Sequence, residues 1–277
     1  MKQIIIFIAI AGVSLAMRPH RELARDTVDW IEGKIIVKGE ARLEAAGTVI
    51  AAEGSESGTI SLNRTRMEAS RRAREDAIAR LARLVKTIRV DGGTMVSDIL
   101  ERDEEAQRRL SALLSSRTSF REYPTGFLSS ACMAEFKIGD LIHILPFSYP
   151  MDPFPARIDA PIPTVYTGLV IDARGIGVEP MILPSIYGED GLEIFGRTFV
   201  DIRRAGRWGI ASYAFNEDEA MRLGRAGARP YYCAATREMN GCPVLANRDV
   251  RKIFSSNETI QRLRECHVVF IIDKPKD

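Results

Sequence analysis

The stretch RTRMEASRRAREDAIARLARLVKTIRVDGG, residues 64–93, decides how the first half of the chain reads. Ala69, Ala73, Ala77, Leu81, Leu84, Val85 and Ile88 recur at helical spacing and line one face, with arginine and glutamate on the other. Asn63 or Thr65 stands where a cap belongs, and RVDGG at 89–93 ends the helix. Upstream, WIEGKIIVKGEA at 30–41 alternates well enough for a strand, with Ile31, Ile35 and Val37 apolar. Between them, 53–58 reads as a Gly/Ser/Glu loop and 59–62 as a short strand. Downstream the pattern predicts a second, shorter helix over 101–114, β-like segments at 119–123 and 130–136, and an apolar closing segment at 141–145. The first unit is therefore expected to be a small sheet with one long helix packed on it.

The helix face carries nine basic and three acidic residues between 64 and 89. It has no interleaved aromatics, so it reads as a solvated face and not as a nucleic-acid surface.

Residues 146–163 hold six prolines, at 146, 150, 153, 155, 161 and 163. That density favours an extended connector over helix or central strand, and divides the chain into units at 28–145 and 164–277. In the second unit, Val165 to Asp172 reads as an apolar strand. The segments 181–187 and 192–195 flank GEDG at 188–191 as a hairpin. Asn216 caps a short helix reaching Leu223, a helical stretch begins at Asn247, and Asn257 caps another over 258–265. HVVFIID at 267–273 is apolar throughout, as a central strand would be. The fold class expected is α+β, in two small α/β-layer domains.

The first sixteen residues have the layout of a cleavable export signal: Lys2, an apolar run from Ile4 to Val13, then Ser14-Leu15-Ala16. The apolar run is shorter than the roughly twenty residues a membrane-spanning helix needs. Residues 17–27 are expected to be a disordered N-terminus. No cysteine follows the apolar run to carry lipid, since the first is Cys132. The expected product is soluble, exported and periplasmic, touching membranes only indirectly. Net charge of +2 gives no global field for nucleic acid or an anionic membrane.

In an oxidising compartment Cys132, Cys233, Cys242 and Cys266 allow three full connectivities, and Cys233 and Cys242, flanking the turn at 239–241, are the favoured pair. Their spacing fits no zinc ribbon or knuckle, so zinc is not expected at the cysteines, and the cofactor expectation is none.

Chemistry-bearing patterns are sparse. Two apolar strands each end in aspartate, at Asp172 and Asp273, and with Arg174 these would form a metal or phosphate site if the strands are neighbours. The G-x-G at Gly175-Ile176-Gly177 is followed by Val178-Glu179-Pro180 and is not a dinucleotide fingerprint; it reads as a tight loop. Of three histidines, His20 falls in the N-terminal segment, His143 in an apolar strand and His267 at a strand start. None accompanies a recognisable nucleophile, and nothing argues for a Cys/His hydrolase on Cys132 or Cys266. Catalytic residues are expected to be none.

The run 64–100, preceded by 30–41, resembles the Lpp-twenty-type family of bacterial envelope lipoproteins, some of which are accessories of the flagellar basal body. Ala69, Ala73, Ala77, Leu81, Val85, Ile88 and Val90 carry the likeness. YTGLVIDARGIGVEPMILPSIYGEDGLEIFG at 166–196 is similar to a segment of longer periplasmic members. The lipid-bearing cysteine of that family is missing here. The resemblance implies a non-enzymatic assembly role among envelope proteins, the flagellar motor included. The competing expectation is a periplasmic enzyme or ligand-binding protein acting through Asp172, Arg174 and Asp273.

Overall fold

The computed structural model describes residues 26–43, 62–155 and 164–274. The export signal, the 53–58 loop and His20 lie outside them. Of the predicted strand at 59–62 only Leu62 is described, and it already belongs to a helix. No described helix is long and apolar enough to cross a membrane.

The chain is α+β in two parts. The first part holds β1 (Thr27–Asp29), β2 (Lys34–Arg42), α1 (Leu62–Lys86), α2 (Val96–Arg102), α3 (Glu104–Arg117), β3 (Ser119–Pro124), β4 (Ser129–Lys137) and a 3-10 helix, Ile138–His143. Its antiparallel sheet runs β1-β2-β4-β3, with α1 across one face. Ala73, Ala77, Leu81 and Val85 are fully buried there. The small residues have a specific use: a Cβ on Gly39 of β2 would overlap Ala73 O and Ala77 N and sit 2.8 Å from Ala77 Cα. Glycine facing alanine lets helix and sheet backbones touch.

Several boundaries differ from the pattern for local reasons. The first four residues of the expected strand over 30–41 form a turn instead, Gly33 taking φ +64 between β1 and β2. Order also begins before 28. Thr27 opens β1, and the Asp26 carboxylate accepts from Lys38 N (3.3 Å). α1 starts at Leu62, so Asn63 and Thr65 lie inside its first turn, past the cap position. The single helix expected over 101–114 is two helices, because Asp103 ends α2 in an extended conformation and caps α3, its Oδ1 accepting from Glu105 N and Ala106 N. The segment around His143 is a 3-10 helix and not a strand, and His143 is exposed.

The second part contains β5 (Leu169–Asp172), β6 (Ile186–Gly188), β7 (Glu193–Phe195), α4 (Ile202–Trp208), β8 (Ser212–Ala214), α5 (Glu217–Arg222), β9 (Tyr231–Ala234), β10 (Arg237–Met239), β11 (Cys242–Leu245), α6 (Asn247–Ile253), α7 (Asn257–Arg264) and β12 (Val268–Ile271). A parallel sheet runs β8-β12-β5-β9 and a mixed one β10-β11-β6-β7. β12 is central and buried throughout, as an apolar run in a parallel sheet should be. The 188–191 hairpin joins β6 to β7, and Asn216 caps α5, its Oδ1 accepting from Glu219 N (2.9 Å). Ser256, not Asn257, is the cap residue of α7.

The two parts share one continuous core. Ile182 N donates to Arg89 O (3.1 Å) and Leu183 N to Val90 O (2.8 Å), stitching the segment after α1 to the second part. Arg89 pairs with Glu179 (2.8 Å), and Trp30 meets Tyr213 edge-on at 5.6 Å. The described half of the proline-rich connector is bound down. Phe154 stacks on Phe199 at 5.0 Å, Arg264 donates to Met151 O and Asp152 O, and Arg197 donates to Ser148 O.

Candidate functional site

The residues singled out at the strand ends do meet. β5 and β12 are parallel neighbours, with Ile271 opposite Asp172. The turn after β5 carries Arg174 back onto its own strand end. Its Nε donates to Asp172 Oδ1 (2.9 Å) and its Nη2 to Asp172 Oδ2 (2.5 Å), a two-pronged pairing suited to a carboxylate. Nη2 also reaches Glu217 Oε1 (2.6 Å) at the start of α5. The Tyr232 hydroxyl of β9 donates to Asp172 (3.2 Å) and Glu217 (3.3 Å). Asp273 takes a different job, its Oδ2 accepting from Gly175 N (2.8 Å) and so fastening the turn whose Gly175 and Gly177 have positive φ. The tight-loop reading of 174–177 matches this turn.

The electrostatics follow from these contacts. The Arg174 hydrogen bond holds Asp172 below the usual carboxylate range. Glu217 is lowered first by its own backbone N–H and then by Arg174. Burial, with Asp172 beside it, pushes the Tyr232 phenol up to about 12. Two carboxylates, Asp172 and Glu217, thus share one guanidinium, which leaves an incoming phosphate a net negative neighbourhood. No cluster of three or more His, Cys, Asp or Glu with metal-holding geometry occurs among the described residues. The arrangement locks the β5 turn against α5 and β9.

The disulfide expectation is corrected. Cys233 lies in β9 of the parallel sheet and Cys242 in β11 of the mixed one, and all four cysteines are free and buried. Cys242 Sγ sits 3.6 Å from Met181 Sδ and accepts from Ser185 N (3.4 Å). Burial raises every thiol, Cys233 and Cys266 to about 12 and Cys242 to about 11. Neutral, enclosed thiols are poor nucleophiles. His267 is half-buried, with its Nε2 3.8 Å from Glu265.

Two further features escaped the sequence reading. On α4, Trp208 is 45% exposed, with the Arg204 and Arg207 guanidinium carbons 6.0 and 5.5 Å from its ring. Arg203, Arg204 and Arg207 are exposed and form no ion pair among the described residues, whereas on α1 Arg71, Arg72 and Arg80 pair with Glu68, Glu75 and Asp76. The string RRAGRW shows the composition; only the fold shows that no described acid pairs with it. The second feature is a cleft of about 410 Å³ between the 91–93 turn and the mixed sheet, lined among others by Asp91, Glu193 and Arg197.

Residues 168–274 match the family described as Treponema pallidum Tp0624, second domain, a match confined to the second part and covering less than half of the 277-residue chain. A search of curated proteins gives no match. What the chain resembles there is a domain that also follows another one in its own protein.

Proposed function

We propose that this is a non-enzymatic, exported protein that works by binding other proteins of the cell envelope, with an accessory place beside the flagellar basal body as its specific form. The observation that carries the reading is the Trp208–arginine cluster on α4. Tryptophan and arginine are the residues that most often anchor protein interfaces. Here an exposed indole lies beside the guanidinium groups of Arg204 and Arg207, and these two with Arg203 form no ion pair among the described residues. Such a surface fits an acidic partner with an apolar notch for the indole. The leader-like first sixteen residues and the Lpp-twenty resemblance over 64–100 point to the envelope. The hydrogen-bonded seam at Arg89–Ile182 and Val90–Leu183 supplies a rigid body on which to present the cluster.

The competing reading, a metal or phosphate site at Asp172, Arg174 and Asp273, has the convergence of those residues in its favour. An occupant would have to displace Arg174 from two carboxylates first.

A photo-crosslinking residue placed at position 203 of the full chain, expressed in source cells, tests the leading reading. The expected product is a crosslink to an envelope protein that is lost with Trp208→Ala or Arg204→Glu. Crosslinking that ignores both variants, or none at all, overturns it. Mass spectrometry of the native protein tests export, which requires a mature chain lacking residues 1–16.

A further inference from the structure

The cleft at the seam is a built site. One wall belongs to the first part, where the 91–93 turn approaches so closely that a Cβ on Gly92 would overlap Asn240 O. Asn240 and Gly241, both at positive φ, form the two-residue turn between β10 and β11 that brings this wall in. The buried Cys242, Ser185, Glu193 and Arg197 also line the cleft. Its volume of about 410 Å³ lies within the range of small-molecule sites, which favour seams between domains.

Three charged groups line it, and each is held in place. Phe147 lies under the Arg197 guanidinium at 4.7 Å, and Nη1 donates to Ser148 O (3.1 Å). Arg197 has no carboxylate partner among the described residues, so its remaining donors stay available to the cleft. Glu193 accepts from Ser185 Oγ (2.5 Å), and Gly196 makes room for it, since a Cβ there would overlap Glu193 Oε1. Asp91 uses Oδ1 to accept from Gly93 N (3.0 Å), fixing its carboxylate on the turn.

A simple anion would meet two carboxylates here, and a simple cation would leave Arg197 unanswered. We infer that the cleft binds a small zwitterion, an α-amino acid or a short peptide, whose carboxylate pairs with Arg197 and whose ammonium pairs with Asp91 and Glu193. Because Asp91 and Arg197 come from different parts of the chain, the ligand spans the seam, and occupancy stabilises the whole folded protein by mass action.

The test is calorimetry and thermal unfolding of the full chain with the proteinogenic L-amino acids and the dipeptides Ala-Ala, Lys-Ala and Glu-Ala. At least one is expected to bind with a submillimolar Kd and raise Tm. Its C-terminal amide and its N-acetyl form should each bind at least about tenfold more weakly. Arg197→Gln and Asp91→Asn should each cause a similar loss, while Trp208→Ala leaves binding unchanged. The ligand analogues need no variant, so misfolding of Arg197→Gln would not rescue the idea. It is overturned if none of these probes binds, if inorganic phosphate or putrescine binds in their place, or if the amide binds as well as the acid.

Discussion

Arg225 is the most informative single residue to perturb. It is 7% exposed, and no carboxylate pairs with it among the described residues. Its Nε donates to Cys266 O (2.6 Å), Nη1 to Trp208 O and Ser212 Oγ (both 2.8 Å), and Nη2 to Gly209 O (2.5 Å). One guanidinium therefore closes the C-terminus of α4, holds the start of β8 and fixes the turn that leads into β12. Burial lowers its pKa to about 10, a shift that corresponds to roughly 3 kcal/mol of desolvation cost. Arg225→Met relieves that cost but removes four hydrogen bonds from a charged group, at about 1.5 kcal/mol each, or ~6 kcal/mol in all, with Cys266 O alone keeping another donor in Val268 N. The expected net loss is ~3 kcal/mol, a large share of the stability of an ordinary domain. Arg225→Lys, with one compact ammonium in place of a planar fork, should fall between. Urea unfolding followed by circular dichroism measures all three proteins. A loss under ~1 kcal/mol for the methionine variant would refute the reasoning, because the acceptors would then be finding other donors.

Three other perturbations read different parts of the fold. Gly39→Ala sets a methyl against the α1 backbone at Ala73 and Ala77 and should cost ~3 kcal/mol or more, seen as a lower urea midpoint, since neither backbone can give way. All four thiols should be silent to a thiol reagent in the native protein and all four should react once it is unfolded under non-reducing conditions; two unreactive thiols after unfolding would restore the disulfide. His267 is held below its ordinary pKa first by burial and then by Arg262. The unfolded chain therefore takes up a proton near pH ~6.5 that the folded chain resists. Stability should fall as pH drops through that value and level off below the folded pKa, and His267→Gln should flatten this part of the profile in urea midpoints taken between pH 7.5 and 5.5.

The elements were legible where one face of the chain repeats. The α1 stripe, the all-apolar β12 and the cap at Asn216 each announce themselves within a dozen residues, and each stands where the pattern put it. The misses come from residues that serve two elements or none. Asp103 both ends α2 and starts α3, so a single amphipathic pattern runs across a real break. His143 sits in an apolar run that looks like a strand, but the run follows β4 directly and turns as a 3-10 helix beside α4, where a Cβ on Gly206 would lie 2.6 Å from the His143 ring. Of the site residues, Asp172, Arg174 and Asp273 were found because adjacent parallel strands end together. Their roles were not legible, because Arg174 reaches back two residues to neutralise the very carboxylate it was expected to assist. Asp91 lies about a hundred residues before Glu193 and Arg197, and no local spacing joins it to them.

The proline-rich connector bears on whether the cleft is preformed. Prolines at 146, 150, 153 and 155 lack backbone donors, so this segment can lie along a surface without leaving an N–H to satisfy at each of those positions. What holds it are side chains of the second part: Arg197 on Phe147 and Ser148, Arg264 on Phe154, Met151 and Asp152. The same Arg197 faces the cleft. The strap, the seam strand at Arg89–Val90 and the cleft are therefore one mechanical unit, and a hinge at the connector would have to break the Arg197 contacts and the Ile182 and Leu183 hydrogen bonds together. A ligand at Arg197 accordingly meets a guanidinium already oriented by Phe147, and the cost of ordering it has been met by folding.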